Sequence, residues 1–234
     1  MVDIDRTSHR SPLHKARPGG APPSAIVIHS GEGTLDGDIA TLTGRDTGVS
    51  SNYYVTRAGK VFQFVDDNRQ SQHAGASRYL GRRRWNEFSL GIETQHREGQ
   101  NWPDAQKTAL AELCAKLIDD FGILREMVVA HRWIAVPRER RSDPSNFPDS
   151  KLRPFILDCF PGKGGRMFRV NTKAANVRSG PGRNHGAIAV LEPGDVIEVS
   201  DVVAGSAVNG NADWMKRVSG GGFIHSSLVD ELAI

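Results

Sequence analysis

The 234-residue sequence has few cysteines, no long apolar segment and no leader-like start. Its only two cysteines, Cys114 and Cys159, are too few for the disulfide framework of a small secreted domain. No apolar run approaches the roughly 18 residues that a membrane-spanning helix needs. Residues 1–20 carry charges and prolines instead of the apolar centre of a signal peptide. We therefore expect a protein made in the cytoplasm, with no membrane partner.

The net charge is also small, although the arginines are clustered. The formal net charge is only +3, but arginines are concentrated in residues 78–84 and 132–141. Such clusters can attract an anionic partner, although Arg82–Arg84 is explained about as well by a solvated loop. Because no nucleic-acid-binding motif accompanies the clusters, we expect no nucleic-acid partner. We also expect a monomer.

The first two thirds of the chain combine apolar strands with one clear amphipathic helix. Apolar runs at 25–29, 89–93 and 127–130 predict buried strands, and 52–65 predicts a hairpin. Apolar residues from Leu110 to Phe121 recur at helical spacing. These elements predict an α/β domain over residues 21–160, with a mixed central sheet flanked by helices.

The composition changes on both sides of that domain. Residues 1–20 are expected to form a flexible arm. Glycines at 162, 164 and 165 predict a linker over 161–167. From 168 to 234, short apolar segments alternate with Pro-Gly and Asn-Gly turns, which predicts a second, smaller all-β domain, a barrel.

Two histidines and one aspartate suggest a metal site. His29 and His131 each follow an apolar strand, and Asp143 lies in a loop twelve residues after His131. Two imidazoles and a carboxylate can hold Zn²⁺ and leave a fourth position for water, as in catalytic zinc sites. Taken alone, a histidine at a strand end is more often a satisfied core residue.

Amide hydrolysis at such a site needs further groups. Zinc would lower the pKa of a bound water to about 7 and polarise a carbonyl, while a base takes the proton and a donor stabilises the oxyanion. Glu93, at the end of its strand, is the candidate base, and Arg141 the candidate donor. The alternatives are an ordinary strand-end carboxylate and a surface charge.

Four segments together resemble the zinc N-acetylmuramoyl-L-alanine amidases, over roughly residues 24–160. They are Ile26-Val27-Ile28-His29, Ser89-Leu90-Gly91-Ile92-Glu93, Val129-Ala130-His131 and Arg141-Ser142-Asp143-Pro144. The resemblance implies that His29, His131 and Asp143 bind zinc and that Glu93 is the catalytic acid/base. The implied substrate is the muramoyl–L-alanine amide of peptidoglycan.

Two further segments are similar to that family. Gln72-His73-Ala74-Gly75 resembles its WHAG segment, and Asn86-Glu87-Phe88-Ser89 its Asn-x-x-Ser segment. From this resemblance we expect His73, Asn86 and Trp85 to contact the substrate.

The chain also departs from the family pattern. Arg141 stands where the family has a catalytic lysine, and arginine can stabilise an oxyanion but is a poor proton donor because it stays charged. Ser51 and Asn52 occupy positions where related sequences have tyrosine and histidine. The third ligand, an aspartate, indicates the branch of the family with a carboxylate ligand.

The C-terminal region has a resemblance of its own. Residues 176–182, Asn-Val-Arg-Ser-Gly-Pro-Gly, and the segment 222–228 are similar to bacterial SH3 domains. That resemblance implies a small β-barrel that holds the protein on the cell wall. The alternative is a passive folding appendage.

These observations lead to a functional prediction with two alternatives. We predict a cell-wall-lytic zinc amidase of the phage-endolysin type, which acts on peptidoglycan after release from the cell. One alternative is a non-catalytic peptidoglycan-recognition protein, in which metal ligands are typically broken. The other is a cytoplasmic peptidoglycan-recycling amidase, which has little use for a wall-binding module.

Overall fold

The computed structural model describes residues 2–160 and 165–232, and the chain divides into two compact units. One unit runs to Arg78 and resumes at Arg84, and the other contains Tyr79–Arg83 and the strands after residue 164. Most of the expected linker, residues 161–164, lies outside the described residues. In the described chain, no helix has the length and apolar character to span a bilayer.

The first unit is built on a six-stranded mixed sheet, as predicted. The strands before residue 160 are β1 (Ile4–Asp5), β2 (His14–Ala16), β3 (Ala25–Ile28), β4 (Tyr53–Val55), β5 (Val61–Gln63), β6 (Arg69–Ser71), β7 (Arg78–Tyr79), β8 (Arg82–Arg83), β9 (Ser89–Thr94) and β10 (Val128–Ala130). The sheet order is β1-β5-β4-β9-β3-β10. Only the predicted hairpin, β4 with β5, is antiparallel, and the other pairs are parallel.

The centre of this sheet consists of parallel strands that are buried on both faces. All four residues of β3 are completely buried, which is why the strand reads as an uninterrupted apolar run rather than an alternating one. Ile28 pairs with Ile92 of β9 on one side and with Ala130 of β10 on the other. The residues that follow these three positions therefore lie at the same edge of the sheet.

Helices cover this sheet. They are α1 (Leu35–Thr43), α2 (Asp104–Phe121), the single turn α3 (His131–Ile134) and α4 (Asp149–Asp158). The predicted amphipathic stripe forms α2, which ends at Gly122 with φ +61°, a backbone conformation that glycine adopts without steric cost. The sequence analysis missed α4, because Pro154 interrupts its pattern and proline normally ends a helix.

The N-terminal segment is part of the sheet system, contrary to the expected flexible arm. Strand β1 extends the central sheet beside β5, and β2 pairs with β6. Arg17 is 3% exposed, and its guanidinium donates to the carbonyl oxygens of Asp67, Glu87 and Ser89 at 2.9–3.2 Å. The segment was expected to be a flexible arm, but this arginine is a buried donor to three carbonyls.

The second unit is an antiparallel half-barrel. Its strands are β11 (Arg166–Val170), β12 (Ala175–Arg178), β13 (Ala187–Leu191), β14 (Val196–Val208), β15 (Asn211–Arg217), β16 (Phe223–His225) and β17 (Val229–Glu231). They form one sheet in the order β13-β12-β16-β15-β14-β11-β17. The all-β character was predicted, whereas β12 was read as a motif rather than as a strand.

Candidate metal centre and active site

The parallel register brings three predicted site residues to one edge of the sheet. His29, Glu93 and His131 each directly follow one of the in-register positions 28, 92 and 130. His29 and His131 are almost fully buried, at 1% and 3% exposure. Asp143 joins them from the loop after α3, where its carbonyl accepts a hydrogen bond from the Arg132 amide.

The two imidazoles and the Asp143 carboxylate converge on one point. The Nδ1 atoms of His29 and His131 are 3.0 Å apart, and Asp143 Oδ2 is 3.1 Å from each. Tetrahedral zinc with ligand bonds of about 2.0–2.1 Å would space its ligand atoms by roughly 3.3 Å. The three predicted ligands therefore have the spacing of a zinc cage, to within a few tenths of an ångström.

The hydrogen bonding of His131 supports a cation at that point. Its Nε2 lies 3.1 Å from the Ala74 carbonyl oxygen, which can only accept, so Nε2 carries the proton and the lone pair of Nδ1 faces the centre. A bare imidazole nitrogen against the Asp143 carboxylate is repulsive without a positive charge between them. The donor set fits Zn²⁺, with His29, His131 and Asp143 as ligands.

The pKa values favour unprotonated ligands at neutral pH. Burial, and secondly the neighbouring His131, lower the pKa of His29 to about 4. Burial alone would raise the pKa of Asp143, but His131 and His29 outweigh burial and lower it when either carries a proton, and so a positive charge, at this point. Since metal binding requires deprotonated ligands, both groups are ready for a cation.

Glu93 is a carboxyl beside this centre, with 16% of its side chain exposed. Its Oε1 is 3.9 Å from His29 Nδ1, and its buried Oε2 has no hydrogen-bond partner among the described residues. Burial first, and then the charge of Asp143, raise the pKa of Glu93 well above its usual value. A raised carboxyl pKa beside a metal site is typical of a general acid/base.

Arg141 lies in the wall of the same cavity, which has a volume of about 240 Å³ and also contains the three ligands and Glu93. No ion pair or hydrogen bond of the Arg141 side chain is found among the described residues. Its guanidinium is therefore available to a group bound in the cavity, as expected for an oxyanion donor.

Asp38 of α1 is a cavity residue that the sequence analysis missed. Its Oδ2 accepts a 2.7 Å hydrogen bond from Tyr54 Oη, and burial raises its pKa. A side chain at Gly31 or Gly33 would collide with this carboxylate, since an added Cβ would lie 2.5 or 2.3 Å from its oxygens. Gly31 and Gly33 were the sequence feature from which a close neighbour such as Asp38 could have been inferred.

The expected substrate contacts are placed differently from the prediction. His73 lines the cavity, but both of its ring nitrogens face protein atoms, His29 Nε2 at 2.9 Å and Ser89 Oγ at 3.1 Å. Trp85 is completely buried, and Asn86 Oδ1 accepts from the amides of His73 and Ala74. Trp85 and Asn86 belong to the support of the site, because neither lines the cavity.

Comparisons with known proteins show which family this chain resembles. The sequence profile of the N-acetylmuramoyl-L-alanine amidase family matches residues 19–146. A 1,6-anhydro-N-acetylmuramyl-L-alanine amidase of Enterobacter cloacae, AmpD, is 30% identical over 60% of this chain and 84% of that protein. The N-acetylmuramoyl-L-alanine amidase AmiD of Escherichia coli is 36% identical over 58% of this chain and 54% of that protein.

Solved structures show the same likeness. A crystal structure of an AmpD derivative superimposes with a TM-score of 0.59 at 27% identity, over 69% of this chain and 99% of that one. Escherichia coli AmiD, in complex with anhydro-N-acetylmuramic acid-L-Ala-D-γ-Glu-L-Lys, gives a TM-score of 0.53 at 30% identity, over 61% and 59% of the two chains. With its profile matched over more than half of its length, the chain belongs to the N-acetylmuramoyl-L-alanine amidase family.

Proposed function

We propose that this amidase cleaves the bond between N-acetylmuramic acid and L-alanine in soluble 1,6-anhydro-muropeptides. The observation that carries the reaction type is the cage of His29, His131 and Asp143 beside the carboxyl of Glu93. Hydrolysis breaks the C–N bond of the amide. It leaves a lactyl carboxylate on the sugar and a free amine on L-alanine.

The protein groups divide the work of this hydrolysis between them. Zinc in such a cage acts as a Lewis acid and makes water a usable nucleophile near neutral pH. Glu93 takes the proton of the attacking water and delivers it to the leaving amine nitrogen. Arg141, charged throughout, donates hydrogen bonds to the oxygen on which negative charge develops. The walls of the cavity hold the amide between Glu93 and Arg141.

The choice of a soluble substrate rests on the relatives. Several AmpD proteins, named for 1,6-anhydro-N-acetylmuramyl-L-alanine, are 30–32% identical over 80–87% of their length. An endolysin structure from Bacillus subtilis shares only 21% identity, which supports a common fold alone. The recycling amidase, first considered as an alternative, is therefore better supported than the predicted phage lysin.

A substrate comparison tests this proposal. We expect kcat/KM to be at least tenfold higher on a 1,6-anhydro-muramoyl tripeptide than, per amide bond, on insoluble peptidoglycan. Mass spectrometry of the products should show a stem peptide with a free L-alanine amine, and a zinc chelator should abolish its formation. Faster cleavage of insoluble wall would favour the lysin, and chelator-sensitive binding without cleavage would favour a recognition protein.

For the second unit we propose an SH3-like domain that binds peptidoglycan. Beyond the motif at 176–182, the unit has a cavity of about 220 Å³ lined by Arg178, Arg183 and Trp214, with no carboxylate in its wall. Two arginines in one cavity wall suit a stem peptide, which carries free carboxylates, although Arg178 Nη1 also donates to the His185 carbonyl at 2.7 Å. Wall binding combined with the preference for soluble substrate would place the enzyme where muropeptides are released.

Sedimentation with purified wall tests this second proposal. We expect full-length protein carrying Glu93→Gln, which prevents digestion, to co-sediment with peptidoglycan. Adding Arg178→Ala and Arg183→Ala should reduce the bound fraction about tenfold, whereas Arg169→Ala on β11 should leave it unchanged. Equal binding by the double variant would remove this cavity from wall recognition.

A further inference from the structure

The two histidine ligands contact consecutive residues through the ring nitrogens that face away from the zinc cage. His29 Nε2 lies 2.9 Å from His73 Nδ1, and His131 Nε2 lies 3.1 Å from the carbonyl oxygen of Ala74. A histidine can bind a metal only through the ring nitrogen that carries no proton. The hydrogen bond made by the other ring nitrogen decides which nitrogen carries the proton. Whatever fixes the segment His73–Ala74 therefore acts on both ligands.

The protons of the His29 side of this arrangement can be assigned in sequence. The carbonyl of Trp85 only accepts, so the Ser89 hydroxyl donates its single proton to it, at 2.5 Å. Ser89 Oγ must then accept from His73 Nε2, 3.1 Å away. Neutral His73 has no second proton for Nδ1, which leaves Nδ1 to accept from His29 Nε2.

The remaining nitrogen of His29 is consequently bare. Its Nδ1 is the atom that faces His131 Nδ1 and Asp143 Oδ2 at 3.0 and 3.1 Å. The hydrogen bonds that run from His29 through His73 and Ser89 to the Trp85 carbonyl thus leave a lone pair on His29 Nδ1, which faces the zinc cage. The Ala74 carbonyl gives the same result for His131 in one step.

The segment itself is fixed from two sides. Asn86 Oδ1 accepts from the amides of His73 and Ala74 at 3.1 and 2.7 Å, while Ser89 holds the His73 ring. Gly91 of β9 makes room for that ring, because an added Cβ would lie 2.5 Å from His73 Cγ. The Asn86-x-x-Ser89 segment and Gly91 therefore together hold the His73 ring and its backbone in place.

We propose that His73, held by Ser89 and Asn86, is a positioning residue that fixes the tautomer and orientation of the zinc ligand His29. Its ring acts through His29 and contacts no reacting atom in this scheme. The inference concerns the metal site and holds whichever muropeptide is the substrate. It also differs from the expectation that His73 contacts substrate.

Zinc affinity of the full-length protein tests the proposal without reference to turnover. His73→Phe keeps a ring but loses the acceptor, and we expect its zinc dissociation constant to rise about 10–100-fold, the usual effect of losing such a partner. His73→Asn places an amide oxygen where Nδ1 stood and should stay within about threefold of the wild type. Equal affinities for wild type and His73→Phe, or equal losses in both variants, would overturn the proposal.

Two further measurements keep the test decisive if His73→Phe does not fold. Ser89→Ala removes the acceptor for His73 Nε2 and should weaken zinc binding at least threefold. In the zinc-free protein, ¹⁵N NMR should find the proton of His73 and of His29 on Nε2 in each ring. A proton on Nδ1 of His73, or unchanged zinc affinity in Ser89→Ala, would refute the assigned donor chain.

Discussion

Replacing Glu93 with glutamine is expected to reduce kcat by about 10²–10⁴-fold, the usual contribution of a general acid/base. Glutamine has nearly the same shape but can neither take a proton from water nor return one to the leaving amine. Zinc should remain bound, since the cage consists of His29, His131 and Asp143. The measurements are turnover of anhydro-muramoyl tripeptide and zinc content of the purified variant.

The pH dependence gives a second signature of Glu93. Because burial and Asp143 raise its pKa, its active carboxylate form is lost as the pH falls through that raised value. The acid limb of kcat/KM should therefore lie above the usual titration range of glutamate, and it should be absent from the residual activity of the glutamine variant.

Stability separates lost chemistry from lost structure. A carboxyl whose pKa is raised in the folded state costs stability increasingly as the pH rises above its unfolded-state pKa, and the cost is complete above the raised value; Glu93 Oε2 is buried without a hydrogen-bond partner among the described residues. Glu93→Gln should therefore keep or raise the melting temperature at neutral pH. Glu98→Gln, an exposed neighbour, serves as the control and should retain full turnover. Comparable activity in both variants would exclude Glu93 as the acid/base.

The sequence was sufficient for the part of the site that depends on parallel strands. An apolar run that ends in a polar residue identifies a strand end, and the ends of parallel neighbours meet at one edge. His29, Glu93 and His131 follow in-register positions of three such strands; the pattern located the strand ends, and the family resemblance indicated that these residues share one site. Asp143, on a loop, was linked to them by its position after His131 and by the family resemblance.

The surroundings of the site could not be predicted in the same way. Asn86 accepts from the Ala74 amide, and Ser89 contacts the His73 ring while it donates to the Trp85 carbonyl. No periodicity signals such contacts, and an aromatic beside a family motif was read as a substrate contact. The burial of Arg17 escaped prediction for a related reason, because its carbonyl partners lie 50 to 72 residues away.

Arg141 is the second position where a large effect is expected. Its side chain lines the cavity of the zinc cage and Glu93, in the place where the family resemblance predicts lysine. Arg141→Ala should reduce kcat by about 10²–10³-fold, as loss of an oxyanion donor typically does, with a smaller change in KM. Arg138→Ala, an exposed arginine of the same loop, should remain near wild-type turnover.

Arg141→Lys tests whether turnover depends on a positive charge at position 141. Arginine stays protonated above pH 12, whereas lysine loses its charge at lower pH. We expect the lysine variant to keep substantial turnover near neutral pH and to lose it as the pH rises through the lysine pKa, a limb that the wild type lacks. If the wild type and Arg141→Lys give superimposable pH profiles, turnover does not depend on the charge at position 141. If Arg141→Ala retains turnover within about threefold, the oxyanion must be stabilised by the zinc cage without this side chain. The presence of arginine where the family has lysine would then have no catalytic consequence.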